Sequence, residues 1–169
     1  MKIYMLRALA LVLVLAAFAA GLASCDSGAG NTGVDYTVTA GGVTLRPDLA
    51  MDGVLASITE SHTYSESSAC PPFDGKEKLY DFTSVKITTY EKNGKDYIMG
   101  IFLKDDSVNV SGVSIGSSVE DMKTALGESY EEAGIGTYVY TAKDGSALKC
   151  IVKNGAVASI QLLTKEADS

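Results

Sequence analysis

Two Asn-Gly dipeptides, each between runs of strand-forming residues, constrain the fold of this chain more than any other feature. They are Asn93-Gly94 and Asn154-Gly155, and each follows a lysine. A type I′ turn needs positive φ at both central positions, which Asn and Gly tolerate best. The pattern therefore predicts two β-hairpins, with strands over residues 84–91, 96–103, 147–152 and 157–163.

A further strand and a helix are predicted upstream of each hairpin. The strands cover residues 78–83 and 137–142. Apolar residues three and four apart predict helices over 47–58 and 117–126. Pro47 suits a first helical turn, Ser117 or Ser118 suits an N-cap, and Gly127 suits the position after a helix.

A short motif repeats before both helices, which indicates a duplicated unit. Gly-Val-Thr-Leu at 42–45 recurs as Gly-Val-Ser-Ile at 112–115. We therefore expect an α+β fold of two tandem repeats, 37–107 and 108–166. Each is a helix followed by an antiparallel meander, with the helices packed on one face of an antiparallel sheet. The polar segment 59–75 is expected to be a loop in the first repeat.

The N-terminus has the pattern of an export signal. Lys2 and Arg7 flank an apolar run over 8–20, which is shorter than the ~20 residues of a membrane-spanning helix. Leu22-Ala23-Ser24-Cys25 resembles the lipobox of bacterial lipoproteins. We expect a signal peptide over 1–24, a lipid on Cys25, and a Gly- and Ser-rich flexible tether over 25–36. The alternatives are a plain secretory cleavage further along and an uncleaved anchor.

This reading places the chain on the extracytoplasmic face of a cell membrane, held by its lipid. Removing the signal removes two basic residues and no acid, which takes the formal charge from −7 to −9. The roughly 135 residues that follow the tether are enough to form one hydrophobic core. Their negative charge makes the domain a poor partner for nucleic acid or for anionic lipid. We expect no nucleic acid among its partners.

Two cysteines remain once Cys25 carries the lipid. In an oxidising compartment we expect Cys70 and Cys150 to form a disulfide, stabilising the fold by about 4 kcal/mol. The alternative is two buried thiols that never meet. A single histidine and two distant thiols do not suit a zinc site, so neither a metal nor another cofactor is expected.

Two stretches resemble a known architecture. Residues 112–127 (GVSIGSSVEDMKTALG) and 153–162 (KNGAVASIQL) resemble the β-lactamase inhibitory protein fold and the related SmpA/OmlA-type envelope lipoproteins. Residues 68–75, 87–90 and 107–117 are similar to an uncharacterised group of small lipoproteins from Gram-positive bacteria. The resemblance implies binding to another protein through an exposed sheet face and loops, and it carries over no contact residue.

Candidates for catalysis are weak. His62 lies in a Ser/Glu-rich segment with Glu60, Ser61, Ser65 and Glu66, and is expected to be a solvated loop residue. The acid pairs Glu131-Glu132 and Asp105-Asp106 are expected to be surface charge. We therefore predict no catalytic residue.

The tyrosines of the first hairpin are the strongest binding candidates. Pairing around Asn93-Gly94 puts Tyr90 opposite Tyr97, with Thr88 and Met99 expected on the same face. Tyrosine and methionine are enriched where proteins meet. The alternative is that the tyrosines cover the core.

The predicted function is a non-enzymatic lipoprotein that binds an envelope or secreted protein through this face. The alternatives are a carrier of a sugar, peptide or lipid between the two repeats, and, less favoured, a cell-wall hydrolase.

Overall fold

A computed structural model describes residues 33–168 of the chain. The predicted signal peptide, Cys25 and most of the tether lie outside these residues. The helices are α1 (Met51–Ser57) and α2 (Val119–Leu126), and a 3₁₀ turn spans Lys165–Ala167. The strands are β1 (Val38–Ala40), β2 (Val43–Leu45), β3 (His62–Ser68), β4 (Lys76–Phe82), β5 (Val85–Lys92), β6 (Lys95–Leu103), β7 (Glu131–Glu132), β8 (Thr137–Thr141), β9 (Ala147–Lys153) and β10 (Ala156–Leu163).

One eight-stranded antiparallel sheet dominates the described residues. Its order is β3-β4-β5-β6-β10-β9-β8-β7, while β1 and β2 form a separate two-stranded sheet. The two halves of the large sheet meet where Ile101 of β6 lies opposite Leu162 of β10. Both residues are fully buried in one hydrophobic core that draws side chains from both halves.

The predicted α+β fold of two helix-and-meander repeats is wrong. Residues 33–168 are 46% strand and 13% helical, with two α-helices only. A helix of eight residues is about 12 Å long, whereas eight strands span about 34 Å. Helices this short cannot form a layer over the sheet, although Met51 and Val54 of α1 and Met122 of α2 are buried in its core.

Register defines the two faces of the large sheet. One row of opposed residues runs across seven strands as Tyr64, Tyr80, Ile87, Ile101, Leu162, Leu148 and Tyr140. All but Tyr64 are buried, so this is the core face. The adjacent row on the opposite face is Ser65, Leu79, Thr88, Gly100, Leu163, Ala147 and Thr141; we call this the outer face.

Local signals are confirmed in the hairpins and the second helix. Asn93 and Gly94 have φ of 54° and 71°, and Asn154 and Gly155 have φ of 52° and 80°, as type I′ turns require. The Ser118 hydroxyl accepts a hydrogen bond from the Asp121 amide at 3.0 Å and caps α2.

The first helix is shorter than predicted. Pro47 and Asp48 form a turn, with φ of 61° at Asp48, and Leu49 and Ala50 then run beside β6. The Asp48 amide donates to the Ile98 carbonyl, and the Ile98 amide donates to the Leu49 carbonyl, both at 2.9 Å. This pairing keeps the start of the segment out of the helix. Tyr36, assigned to the tether, is 3% exposed and packs in the core.

The predicted loop over 59–75 contains a strand. Residues 62–68 form β3, which pairs with β4 along its whole length and is the edge of the large sheet. All seven residues are exposed, so neither face of the strand is buried. Its sequence therefore lacks the alternation of apolar and polar residues that predicts a strand. No helix of residues 33–168 has the length and apolarity to cross a membrane.

Candidate functional site

Tyr90 and Tyr97 lie directly opposite each other in the β5–β6 pair, as the hairpin predicts. Their ring centroids are 5.9 Å apart. Thr88 and Met99 do not join Tyr90 and Tyr97 as a second opposed pair on the same face. The register shifts after Thr88, so that Thr88 lies opposite Gly100 and Met99 is an extra residue between Gly100 and Ile98.

This shift changes what the outer face presents. Thr88 is buried, and its hydroxyl lacks a hydrogen-bond partner. Tyr90, Tyr97 and Met99 are partly buried. The four residues therefore do not form the open, flat patch that we expected, and two other segments lie against them.

The first of these segments is the β3–β4 connection. The Ala69 amide donates to the Gly75 carbonyl at 3.1 Å, and the Phe73 amide donates to the Cys70 carbonyl at 3.1 Å. The Pro71–Pro72 peptide bond is cis. The loop places the Phe73 ring 4.9 Å from the Tyr90 ring.

The second segment is the C-terminal turn. The Thr164 amide donates to the Met99 carbonyl at 2.9 Å, and the Ala167 amide donates to the Thr164 carbonyl at 3.1 Å. The Lys149 ammonium lies 2.7 Å from an Asp168 carboxylate oxygen, with both side chains 25% exposed. These contacts hold the turn beside Met99.

A groove of about 200 Å³ lies between the loop, the sheet and the turn. We call it the Phe73–Tyr90 groove. Its walls include Pro71, Pro72 and Met99 as well as the two rings, and Glu77 and Glu166 supply carboxylates. No lysine or arginine lines it.

A second depression, of about 320 Å³, lies on the other side of Tyr90 and shares Tyr90 and Glu166 with the groove. The Tyr90 hydroxyl donates a 2.7 Å hydrogen bond to an Asp48 carboxylate oxygen. Burial, and then this hydrogen bond, hold the pKa of Tyr90 well above its ordinary value. The Tyr90 side chain is therefore neutral, fixed and shared by both depressions.

His62 is on the exposed edge strand and contacts aromatic rings. Its ring centroid lies 4.8 Å from that of Phe82 and 5.7 Å from that of Tyr80. Within residues 33–168 the neighbouring acids bind elsewhere. Glu66 pairs with Lys76 and accepts a hydrogen bond from Tyr64, and Glu60 accepts two hydrogen bonds from Ser84.

Residue pairing also separates His62 from the nearby serine. His62 lies opposite Phe82 on the core side, whereas Ser65 lies opposite Leu79 on the outer side. A nucleophile and its base must come within hydrogen-bond reach. The described residues therefore do not bring His62 and Ser65 together, and the hydrolase alternative stays a less favoured prediction.

The adjacent acid pairs are at the surface. Glu131 and Glu132 form the exposed edge strand β7, opposite Val139 and Tyr138. Asp105 accepts hydrogen bonds from the Ser107 hydroxyl and, at 2.9 Å, from the Ser107 amide, and these two bonds lower the pKa of the Asp105 carboxyl. Neither pair faces a second carboxylate across a cleft.

The predicted Cys70–Cys150 disulfide is wrong. Both thiols are free, Cys70 exposed and Cys150 buried. Cys150 points to the core face of β9, opposite Ile160, while Cys70 lines the groove on the outer face. Four strand spacings separate β4 from β9, or about 19 Å, well beyond the reach of a disulfide.

Sequence reasoning missed Phe73, Glu77 and Glu166, which complete the groove around Tyr90. Phe73 could have been found from the sequence, because a large apolar residue in a polar, proline-containing segment is expected to pack against other residues. Glu77 and Glu166 could not have been found in this way. They lie at the start of β4 and in the C-terminal turn, and no local pattern indicates that these segments lie beside Tyr90. No set of three His, Cys, Asp or Glu side chains suited to a metal ion is found between residues 33 and 168.

Comparison with protein-family models, with curated proteins and with solved structures found no match for this chain. The resemblance to inhibitor-type and envelope lipoproteins stays a prediction.

Proposed function

We propose that this chain is a non-enzymatic binding module, held outside the cytoplasm by a lipid on Cys25, that receives part of a partner protein in the Phe73–Tyr90 groove. The observation that carries the proposal is the groove itself. Two rings and Met99 are left partly accessible between three segments that are each fixed by backbone hydrogen bonds. Partly exposed aromatic and methionine side chains in a concave setting are typical of protein-binding sites.

The anchor and the tether fit this role. A lipid on the first mature residue leaves the following Gly- and Ser-rich residues as a flexible spacer. Tyr36 packs in the core, so the tether expected before it would let the groove sample the space above the membrane. The strongly acidic mature chain favours a protein partner over nucleic acid.

The alternative of a small-ligand carrier required a cavity between the two halves. Where the two halves meet, Ile101 and Leu162 lie opposite each other and are fully buried, which favours the outer face as the binding surface.

Capture of a partner tests the proposal. The mature chain with Cys25→Ser is immobilised and exposed to envelope extract, alone and with Phe73→Ala. Tyr64→Ala is the matched control, because Tyr64 is a 51% exposed tyrosine on the opposite face. We expect Phe73→Ala to lose a partner that the parent and the control retain. Equal recovery by all three would overturn the assignment of the groove.

The anchor is tested separately. Cells growing on labelled fatty acid should label the wild-type chain and leave Cys25→Ser unlabelled. A labelled Cys25→Ser variant, or an unlabelled wild type, would remove the lipoprotein assignment without bearing on the groove.

A further inference from the structure

We infer that the Phe73–Tyr90 groove receives a lysine or arginine side chain from the partner, and this inference rests on the proposed function. Size gives the first constraint. The groove measures about 200 Å³, below the roughly 300–1,000 Å³ of pockets that enclose drug-sized ligands. It has room for one long side chain presented by a polypeptide.

The walls match a side chain with an apolar stem and a charged head. Lysine and arginine carry such stems, which pack along apolar surface while the head stays polar. Pro71, Pro72 and Met99 supply apolar contact. The Phe73 and Tyr90 rings supply the negative faces that attract a cation. The hydrogen bond from the Tyr90 hydroxyl to the Asp48 carboxylate leaves the ring richer in electrons.

The charges point the same way. Glu77 and Glu166 line the groove, and no basic side chain does. Nearby lysines are directed elsewhere: Lys76 pairs with Glu66, Lys149 pairs with Asp168, and the Lys165 side chain lies against Gly145. Lys92 lines the depression beyond Tyr90, together with Glu166. A cation entering the groove would meet the Glu77 carboxylate, at a wall that has no basic side chain.

Elsewhere in the chain a lysine lies beside two neighbouring rings, where its ammonium also donates a 2.6 Å hydrogen bond to the Tyr130 hydroxyl and the rings meet edge to face. The Lys123 ammonium lies 4.7 Å from the centroid of the Tyr130 ring and 5.4 Å from that of Tyr138. Those rings are 5.0 Å apart, close to the 4.9 Å between Phe73 and Tyr90. Glu128 lies 3.9 Å from the ammonium. Around Phe73 and Tyr90 the rings and carboxylates are present, and the lining contains no lysine.

Short peptides test the inference directly. The probes are acetyl-Gly-Lys-Gly-amide, its arginine counterpart, and the same peptide with norleucine, which has a stem similar to that of lysine and no charge. Binding to the mature chain with Cys25→Ser is followed by the NMR shifts of the Phe73 and Tyr90 rings and the Met99 methyl group. We expect the cationic peptides to bind about fivefold more tightly than norleucine, with the preference reduced by salt.

Two variants locate the effect. Glu77→Gln should weaken the lysine peptide and leave the norleucine peptide unchanged, while Glu120→Gln, on the exposed face of α2, should change neither. Phe73→Leu keeps apolar volume and removes a ring, so it should reduce the preference for a cation even if Glu77→Gln fails to fold.

The outcomes separate this inference from the proposed function. Equal binding of the lysine and norleucine peptides would overturn the cationic ligand while the groove remained a binding site. Absence of binding by every peptide, with a Phe73-dependent partner still captured from extract, would overturn only the inference. Absence of both would overturn the inference and the proposed function together.

Discussion

The Tyr90 hydroxyl donates a 2.7 Å hydrogen bond to the Asp48 carboxylate, 42 residues earlier in the chain. The bond joins the outer face of β5 to the turn at Pro47 and Asp48 that precedes α1. Because this turn also pairs with β6 through Ile98, the bond holds it against the wall of the groove. Burial and this bond together raise the pKa of Tyr90.

We predict that Tyr90→Phe destabilises the protein by about 1 kcal/mol at pH 7, because it removes this hydrogen bond. The pKa of Tyr90 is raised in the folded state, mainly by burial, so the folded state favours the protonated hydroxyl. This contribution to stability is fully present below about pH 10, where unfolded tyrosine begins to ionise, and is lost as the pH rises further. The gap between wild type and Tyr90→Phe in urea unfolding should therefore narrow above about pH 10. A gap that widens there would contradict the assignment.

We predict that only one of the two remaining thiols reacts in the folded mature chain carrying Cys25→Ser. Cys70 is exposed, whereas Cys150 is fully buried and its burial raises the pKa of the thiol to about 12. The thiolate is the reactive form, so Cys150 should be labelled only in denaturant. Iodoacetamide labelling with peptide mapping measures this. A peptide joining Cys70 to Cys150 would be the contrary result.

We predict that Leu162→Ala destabilises both halves of the sheet at once, by about 2–5 kcal/mol. Leu162 lies opposite Ile101 at the junction of the two halves, and both are fully buried in the shared core. Thermal unfolding should remain a single transition at a lower midpoint. Val34→Ala is the control, because Val34 is 48% exposed and should leave the midpoint nearly unchanged. Two separate transitions would show that the halves fold independently.

We predict that Gly136→Ala costs more than Gly127→Ala. Both glycines have positive φ, 71° and 87°, and Gly127 combines this with ψ of −177°, so either substitution strains the backbone by about 1–3 kcal/mol. A Cβ at Gly136 would also lie 2.7 Å from the Val152 carbonyl oxygen, whereas nothing lies within 4 Å of one at Gly127. Chemical denaturation of the two variants isolates the steric contribution. Equal losses would place the Val152 carbonyl oxygen further from Gly136.

Only part of the candidate site could be predicted from the sequence. The Tyr90–Tyr97 pair followed from one turn, since a two-residue hairpin fixes the register next to it. The register shift after Thr88 was not encoded in that turn, and it moved Met99 out of the expected row. Phe73 and Glu166 are distant from Tyr90 in sequence and reach it through a loop and a terminal turn.

The sequence by itself determined the two Asn-Gly hairpins, the cap of α2 and its end at Gly127, because these depend on the φ values and hydrogen bonds of residues within a few positions. The tertiary structure decided the rest. An entirely exposed β3 becomes a strand because β4 offers backbone partners, and residues 48–50 stay out of the helix because β6 offers them backbone partners. Long-range strand pairing also separates Cys70 from Cys150 and determines which residues form the groove, because it sets the face and the neighbours of each side chain.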